Sequence, residues 1–271
     1  MVEAMLTLPA RLLADFLACL RFYSRLPVPV LPFEADPYAM LDFSKSVRVL
    51  PFAGWLIGAV GGLALLAGEG LSLPPLATAG FALTLLMLAT GAFHEDGLAD
   101  TADGLGGGMT LERKLEIMKD SRIGTFGGAA LIMSLLLRAS LLAEILTHFG
   151  APVAALILAA SGGASRVAAL LLHALLPPAR TDGAAWAAAK PLPATLVLAV
   201  GLALAVGLSP ALAGVAPLRL ALGLGLMGLA ALAMAGIARQ QIKGMTGDIA
   251  GATQQIAEIL FLTALANRIG L

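Results

Sequence analysis

The chain has 271 residues, 59% of them hydrophobic and 13% charged, with 17 Lys and Arg balancing 17 Asp and Glu. Soluble domains carry about 25% charged residues, so this composition, with a mean hydropathy of +0.92, excludes an ordinary soluble protein and points to a multi-spanning membrane protein. Zero net charge gives no bulk attraction to nucleic acid, and the single Cys19 excludes an internal disulfide and any cysteine-based metal cluster.

The first residues, Met1-Val2-Glu3-Ala4, carry no basic n-region, so no cleaved signal peptide is expected. Residues 3–22 read as an amphipathic helix. Arg11, Asp15 and Arg21 interrupt its apolar pattern, which suits lying on a membrane rather than crossing it. A proline-rich connector runs from Pro27 to Pro37. Seven apolar segments follow, at about 48–68, 74–93, 127–147, 151–176, 191–209, 217–238 and 252–271. Each is near the ~20 residues needed to cross the hydrocarbon core. The many glycines and alanines suit close helix packing in lipid. The expected fold is therefore all-α: a polytopic transmembrane helical bundle of about seven spans, six to eight, in a single domain over 1–271 with an N-terminal interfacial helix.

Charge placement orients the spans. Arg11, Arg21, Arg25, Lys45 and Arg48 precede the first span. Arg113, Lys114, Lys119 and Arg122 lie between the second and third, Arg180 and Lys190 between the fourth and fifth, and Arg239 and Lys243 between the sixth and seventh. The opposite links, 69–73, 148–150 and 210–216, contain no Lys or Arg. The positive-inside rule names the basic side the cytoplasm. Arg219 and Arg268 are exceptions near the far face.

The polar link 94–126 carries the densest chemistry. Residues 95–120 hold seven of the chain's 17 carboxylates. Asp96, Asp100 and Asp103 fall at i, i+4 and i+7, which on a helix puts them on one face. Like charges so placed repel, and a hard cation such as Mg²⁺, which favours carboxylate oxygens and keeps positions for water and phosphate, relieves this. Glu95 points elsewhere and is a candidate general base, with His94 beside it as a substrate-binding candidate. Gly104, Gly106, Gly107 and Gly108 permit close backbone approach. Residues 111–120 read as a short amphipathic helix. Asp120 beyond it is a further metal-ligand candidate, and Lys119 and Arg122 are candidates for phosphate oxygens. Arg138, Glu144 and Arg166 fall inside spans, where charge is costly and faces an interior. Arg138 is expected to pair with Glu144, and Arg166 is a ligand candidate. His173 is read as a packing or interfacial residue. A second polar stretch, 239–251, brings Lys243 and Asp248 to the same compartment as substrate-binding candidates, and Gln254, Gln255 and Glu258 continue a polar stripe into the last span.

These motifs resemble the cobalamin synthase family, the adenosylcobinamide-GDP ribazoletransferases. The resemblance rests on His94–Gly104, Leu115-Glu-Ile-Met-Lys-Asp-Ser-Arg-Ile-Gly124, Phe22-Tyr-Ser-Arg-Leu-Pro27 and Thr246-Gly-Asp-Ile-Ala-Gly-Ala252, and covers nearly the whole chain. It implies attack by a hydroxyl of α-ribazole, or of its 5′-phosphate, on the cobinamide-linked phosphate of adenosylcobinamide-GDP. GMP leaves, with Mg²⁺ as cofactor and Asp96, Asp100, Asp103 and Glu95 as the catalytic and metal-holding carboxylates. It also implies a multi-pass protein of the cytoplasmic (inner) membrane, with its active site facing the cytoplasm and its partners the two substrates and the lipid bilayer. A homo-oligomer is compatible with this; a nucleic-acid partner is not expected. A membrane CDP-alcohol phosphotransferase is the nearest alternative, because Asp100-Thr-Ala-Asp103-Gly104 is similar to the opening of that motif. Leu105-Gly106-Gly107-Gly108 stands where its Ala-Arg pair belongs. A transporter is the rival from another class.

Overall fold

Proline opens six of the helices, at Pro9, Pro51, Pro75, Pro152, Pro193 and Pro217. Its missing N–H costs nothing in the first turn, and its fixed φ suits helix entry. The structure, a computed structural model, describes residues 7–34, 36–120 and 122–267. Residues 3–6 of the expected interfacial helix, Ser121, and 268–271 with Arg268 lie outside the described residues.

In chain order the helices are α1 (Leu8–Tyr23), α2 (Leu50–Gly70, entered by a 3₁₀ turn Ser46–Val49), α3 (Pro75–Thr90), α4 (Phe93–Gly107), α5 (Leu111–Ile117), α6 (Thr125–Phe149), α7 (Ala151–Leu175), α8 (Ala184–Ala187), α9 (Pro193–Leu208, continued by a 3₁₀ turn Ser209–Ala213), α10 (Pro217–Gln241) and α11 (Gly247–Ala266). No strand occurs among the described residues. Six helical segments are long and apolar enough to cross a membrane, built on α2, α6, α7, α9, α10 and α11. The seventh, α3, has 16 residues, which at 1.5 Å per residue reach about 24 Å against a hydrocarbon core of about 30 Å.

At the end of α3 the chain turns through 91° into α4. Gly91 and Ala92 make this corner with φ of 68° and 56°. Left-handed backbone is free for glycine and strained for alanine. The Arg25 backbone N–H donates to Ala89 O (2.7 Å), and its guanidinium fills the space where a Gly91 Cβ would sit. The second span thus stops early, and α4 lies across the end of the bundle. The polar link expected over 94–126 is itself largely helical, in α4 and α5.

Helix α7 is the centre, buried over most of its length. It meets α2 backbone to backbone: a Cβ on Gly54 would stand 2.5 Å from Gly162 O, and one on Gly58 2.7 Å from Leu158 O. Such small-residue contacts are what pack helices where no hydrophobic effect drives them together. Leu63, Phe81, Leu88, Ile132, Leu136, Val197, Leu229 and Leu232 remain exposed, giving the apolar outer surface a bilayer requires.

The links expected to share one side do meet. Ala179 N–H donates to Met245 O (2.8 Å), Met245 N–H to Pro177 O (2.9 Å), and Leu192 N–H to Ser44 O (3.1 Å). Lys114 bonds Gln241, and Lys119 pairs with Asp182. At the other end Ala151 N–H donates to Glu69 (2.9 Å).

Candidate active site

Helix α4 carries the acidic run and packs directly on α11. A Cβ on Gly97 would fall 2.9 Å from Asp248 O and 3.2 Å from Gly251 Cα. Two glycines facing each other let these helices touch, and that contact sets Asp248 beside Asp96 and Asp100. The last helix opens at Gly247, ahead of the span expected over 252–271. Thr246 caps α11, accepting from Ile249 N–H at 3.3 Å, so Asp248 sits in the helix's first turn. A carboxylate is favoured at that end of the helix dipole.

Asp96 is exposed, Asp100 half-buried and Asp103 buried, so the one-face expectation becomes a gradient of depth. Burial pushes the Asp100 carboxyl up to about 7, reinforced by the negative charges of Asp96, Asp248 and Asp103 and opposed by Arg180. Asp103 has different company. Its two oxygens accept from Gly124 N–H (2.7 Å) and Gly127 N–H (2.8 Å), the opening amides of α6. Cβ atoms there would come within 2.5 and 2.2 Å of that carboxylate. The glycines of Gly124-Thr125-Phe126-Gly127 are therefore room for Asp103. Likewise Gly104 leaves space for Met118 and Gly108 for the Lys114 backbone, so the glycine run packs α5 onto α4.

Glu95 points the other way, as its wheel position predicts, into a buried ion network. Arg138 Nη1 donates to Glu95 Oε1 (2.9 Å), and its Nη2 lies 2.8 Å from Glu258 Oε1. The expected Arg138–Glu144 pair is corrected: six helical residues turn through about 600°, leaving the two side chains some 120° apart. Gln255 donates to Glu95 Oε1 (3.2 Å), and Gln254 links Glu258 Oε2 to Ser165, each at 2.9 Å. Arg166 is buried beside this network, its Nη1 donating to Gly162 O (2.8 Å). Of the intramembrane charges that suited a transporter, Arg138 is taken up in tying α4, α6 and α11 together, while Arg166 bonds within α7.

The remaining candidates are more peripheral. Asp120 folds back on Arg122, whose guanidinium drives its carboxyl down to about 2, and Arg122 is 87% exposed. Lys119 is held by Asp182, and Lys243 is exposed in a left-handed turn with φ 60°. His94 is buried, stacked 6.0 Å from Tyr23. The cation that does face the acidic face was noted in the sequence only as a basic loop residue. Arg180 Nη2 donates to Asp248 Oδ2 (3.2 Å), while its buried Nη1 has no partner. Its signal was its place on the same side as Asp248.

Hard carboxylate oxygens from Asp96, Asp100 and Asp248 suit Mg²⁺ in kind. Among the described residues no three His, Cys, Asp or Glu side chains close into a metal cage. Mg²⁺ does not require one: it is commonly held by one or two carboxylates plus waters and substrate phosphates.

Residues 15–266 match the family described as Cobalamin-5-phosphate synthase. The chain belongs to the cobalamin-5-phosphate synthase family. Similar proteins named adenosylcobinamide-GDP ribazoletransferase come from Azorhizobium caulinodans (47% identical, covering 93% of this chain and 95% of that protein), Xanthobacter autotrophicus (45%, 93% and 95%) and Rhizobium johnstonii (44%, 93% and 96%). No solved structure matches. The match to the synthase family spans every helix named above except the first turns of α1, so the acidic α4, Arg180 and Asp248 all lie inside it.

Proposed function

We infer that this chain is an adenosylcobinamide-GDP ribazoletransferase. It joins the phosphocobinamide part of adenosylcobinamide-GDP to α-ribazole, or to α-ribazole 5′-phosphate, and releases GMP. The observation that carries this reading is the meeting of Asp96, Asp100 and Asp248 under Arg180, in a chain whose relatives bear that name. Asp96 and Asp248 would hold Mg²⁺, which when bound neutralises the pyrophosphate under attack. Arg180 offers its unpartnered Nη1 to a phosphate oxygen. The Asp100 carboxylate takes the proton from the attacking hydroxyl as general base. The new bond is from the acceptor oxygen to the cobinamide-linked phosphorus, and the bond that breaks is from that phosphorus to the oxygen of GMP. Asp103 holds α6 against α4, and Glu95 with Arg138 fixes α4 from beneath.

The bundle sits in the cytoplasmic membrane with this face toward the cytoplasm. The excess of Lys and Arg on the links around the site supports that orientation. The test is incubation of the purified protein with adenosylcobinamide-GDP and α-ribazole, with and without Mg²⁺, following GMP and the corrinoid product. Mg²⁺-dependent GMP release that Asp100→Asn abolishes is expected. Undiminished release by that variant would remove Asp100 from the reaction.

A further inference from the structure

One cavity lies beside the acidic face yet contains none of its aspartates. It is walled by Phe22, Tyr23, Phe43, Phe93, His94 and His173, and encloses about 440 Å³ not filled by atoms, part of it open to solvent. Small-molecule sites are typically lined by apolar and aromatic side chains with a few placed polar groups, as this one is. The rings are ordered against one another. Tyr23 and His94 stack at 6.0 Å with 6° between planes, Phe43 and His173 stack at 4.9 Å and 20°, and Phe22 meets Phe43 edge-on at 5.4 Å.

Two further facts give this cavity a use. His173 is 9% exposed, and its Nδ1 is buried without a hydrogen-bond partner. Buried polar groups are normally paired, and an orphan calls for an explanation. The cavity also adjoins the acidic face through both of its helices. Gly247 and Gly251 line it and flank Asp248 on α11, while His94 lines it two residues before Asp96 on α4. Ala185, on the link that carries Arg180, lines it as well.

We propose that this cavity seats the planar aromatic base of the acceptor nucleoside, with His173 Nδ1–H donating to the base's unsubstituted ring nitrogen. The proposal rests on the ribazoletransferase reading and specifies where its acceptor binds. A benzimidazole riboside combines an apolar fused ring with one acceptor nitrogen. That pairing matches ring walls that include a buried histidine nitrogen without a partner. With the base so seated, the ribose lies toward Gly247 and Gly251, and its hydroxyl is directed at the carboxylates of Asp96, Asp100 and Asp248. His94 closes the cavity's inner wall.

The experiment measures equilibrium binding of α-ribazole to the full-length protein in detergent, without adenosylcobinamide-GDP, by fluorescence of the benzimidazole. A matched riboside with indole in place of benzimidazole, which lacks the acceptor nitrogen, is the comparison. Wild type is expected to bind α-ribazole about tenfold or more tightly than the indole analogue. His173→Leu should bind the two equally, and His173→Asn, which keeps a donor near the Nδ1 position, should restore the preference. Ala169→Phe, on the cavity wall, should weaken both. In turnover, His173→Leu should raise KM for α-ribazole and leave KM for adenosylcobinamide-GDP unchanged. Equal binding of the two ribosides by wild type would overturn the proposal without recourse to any variant, as would a preference that survives in His173→Leu. Absence of GMP release from any substrate pair would overturn the transferase reading, while the binding comparison would still decide the cavity.

Discussion

Asp100 joins reactivity to instability. Its carboxyl is raised to about 7 by burial and by the charges of Asp96, Asp248 and Asp103, against about 3.9 in an unfolded chain. Between those values the folded, metal-free protein binds more protons than the unfolded one, so its stability falls as pH rises through the interval. Asp100→Asn removes that penalty. The variant is therefore expected to lose transfer activity and yet melt at a higher temperature than wild type when both are metal-free at pH 8. At pH 4, where the folded carboxyl is neutral and the unfolded one only about half ionised, little of the penalty has developed and the difference should be small. Thermal denaturation monitored at the two pH values checks this, and a variant less stable than wild type at pH 8 would contradict the electrostatic account. The same carboxyl is why the site belongs at the bundle's end. There Asp96 remains exposed and a charged substrate can reach it, whereas Glu95, one residue earlier, is sealed among helices.

At the scale of the element, three features orient α4, in addition to the Asp103 anchor to α6. The corner at Gly91 and Ala92 sets its direction, Gly97 sets its distance from α11, and the Glu95–Arg138–Glu258 network sets its rotation. Gly97→Ala would place a Cβ 2.9 Å from Asp248 O, where only backbone can move. We expect at least tenfold lower activity from this variant, with helix content by circular dichroism unchanged. Activity within twofold of wild type would show that the contact has slack. Arg138→Met leaves two carboxylates, Glu95 and Glu258, buried at 5% and 3% exposure without their shared cation. Losing one partner of a buried ion pair costs about 3–5 kcal/mol, and a comparable loss is expected in denaturant titrations of the detergent-solubilised protein. A companion Glu95→Gln change should be milder, because the amide still accepts from Arg138 while one buried charge is gone.

For the whole molecule, the positive-inside rule gives a testable placement of the basic end. A cysteine substituted at Lys114 or Arg180 should resist an impermeant thiol reagent added outside intact cells, while one at Leu212, which is 93% exposed in the opposite link, should be labelled. The reverse pattern would invert the protein in its membrane. The links at the basic end are tied to one another: 177–190 touches both the α10–α11 turn, through Pro177 and Met245, and the α5 region, through Lys119 and Asp182.

Periodicity was enough to locate the apolar helices, because apolar length is a local property of the chain. The helical spacing of Asp96, Asp100 and Asp103 was equally legible, since a wheel needs only the pitch of a helix. So was the outward turn of Glu95 from that face. The partners were not legible. Arg138 finds Glu95 and Glu258, 43 and 120 residues away in sequence, rather than nearby Glu144, because facing helices rather than sequence distance decide which buried charges meet. Arg180 gave no local sign of its role, and Asp103 gave none that its oxygens would be spent on the amides of Gly124 and Gly127. The sequence by itself determined a membrane bundle with its acid and its base gathered at one end. Only the tertiary structure decided which carboxylates share the site, because that depends on two glycines, Gly97 and Gly251, letting α4 and α11 touch.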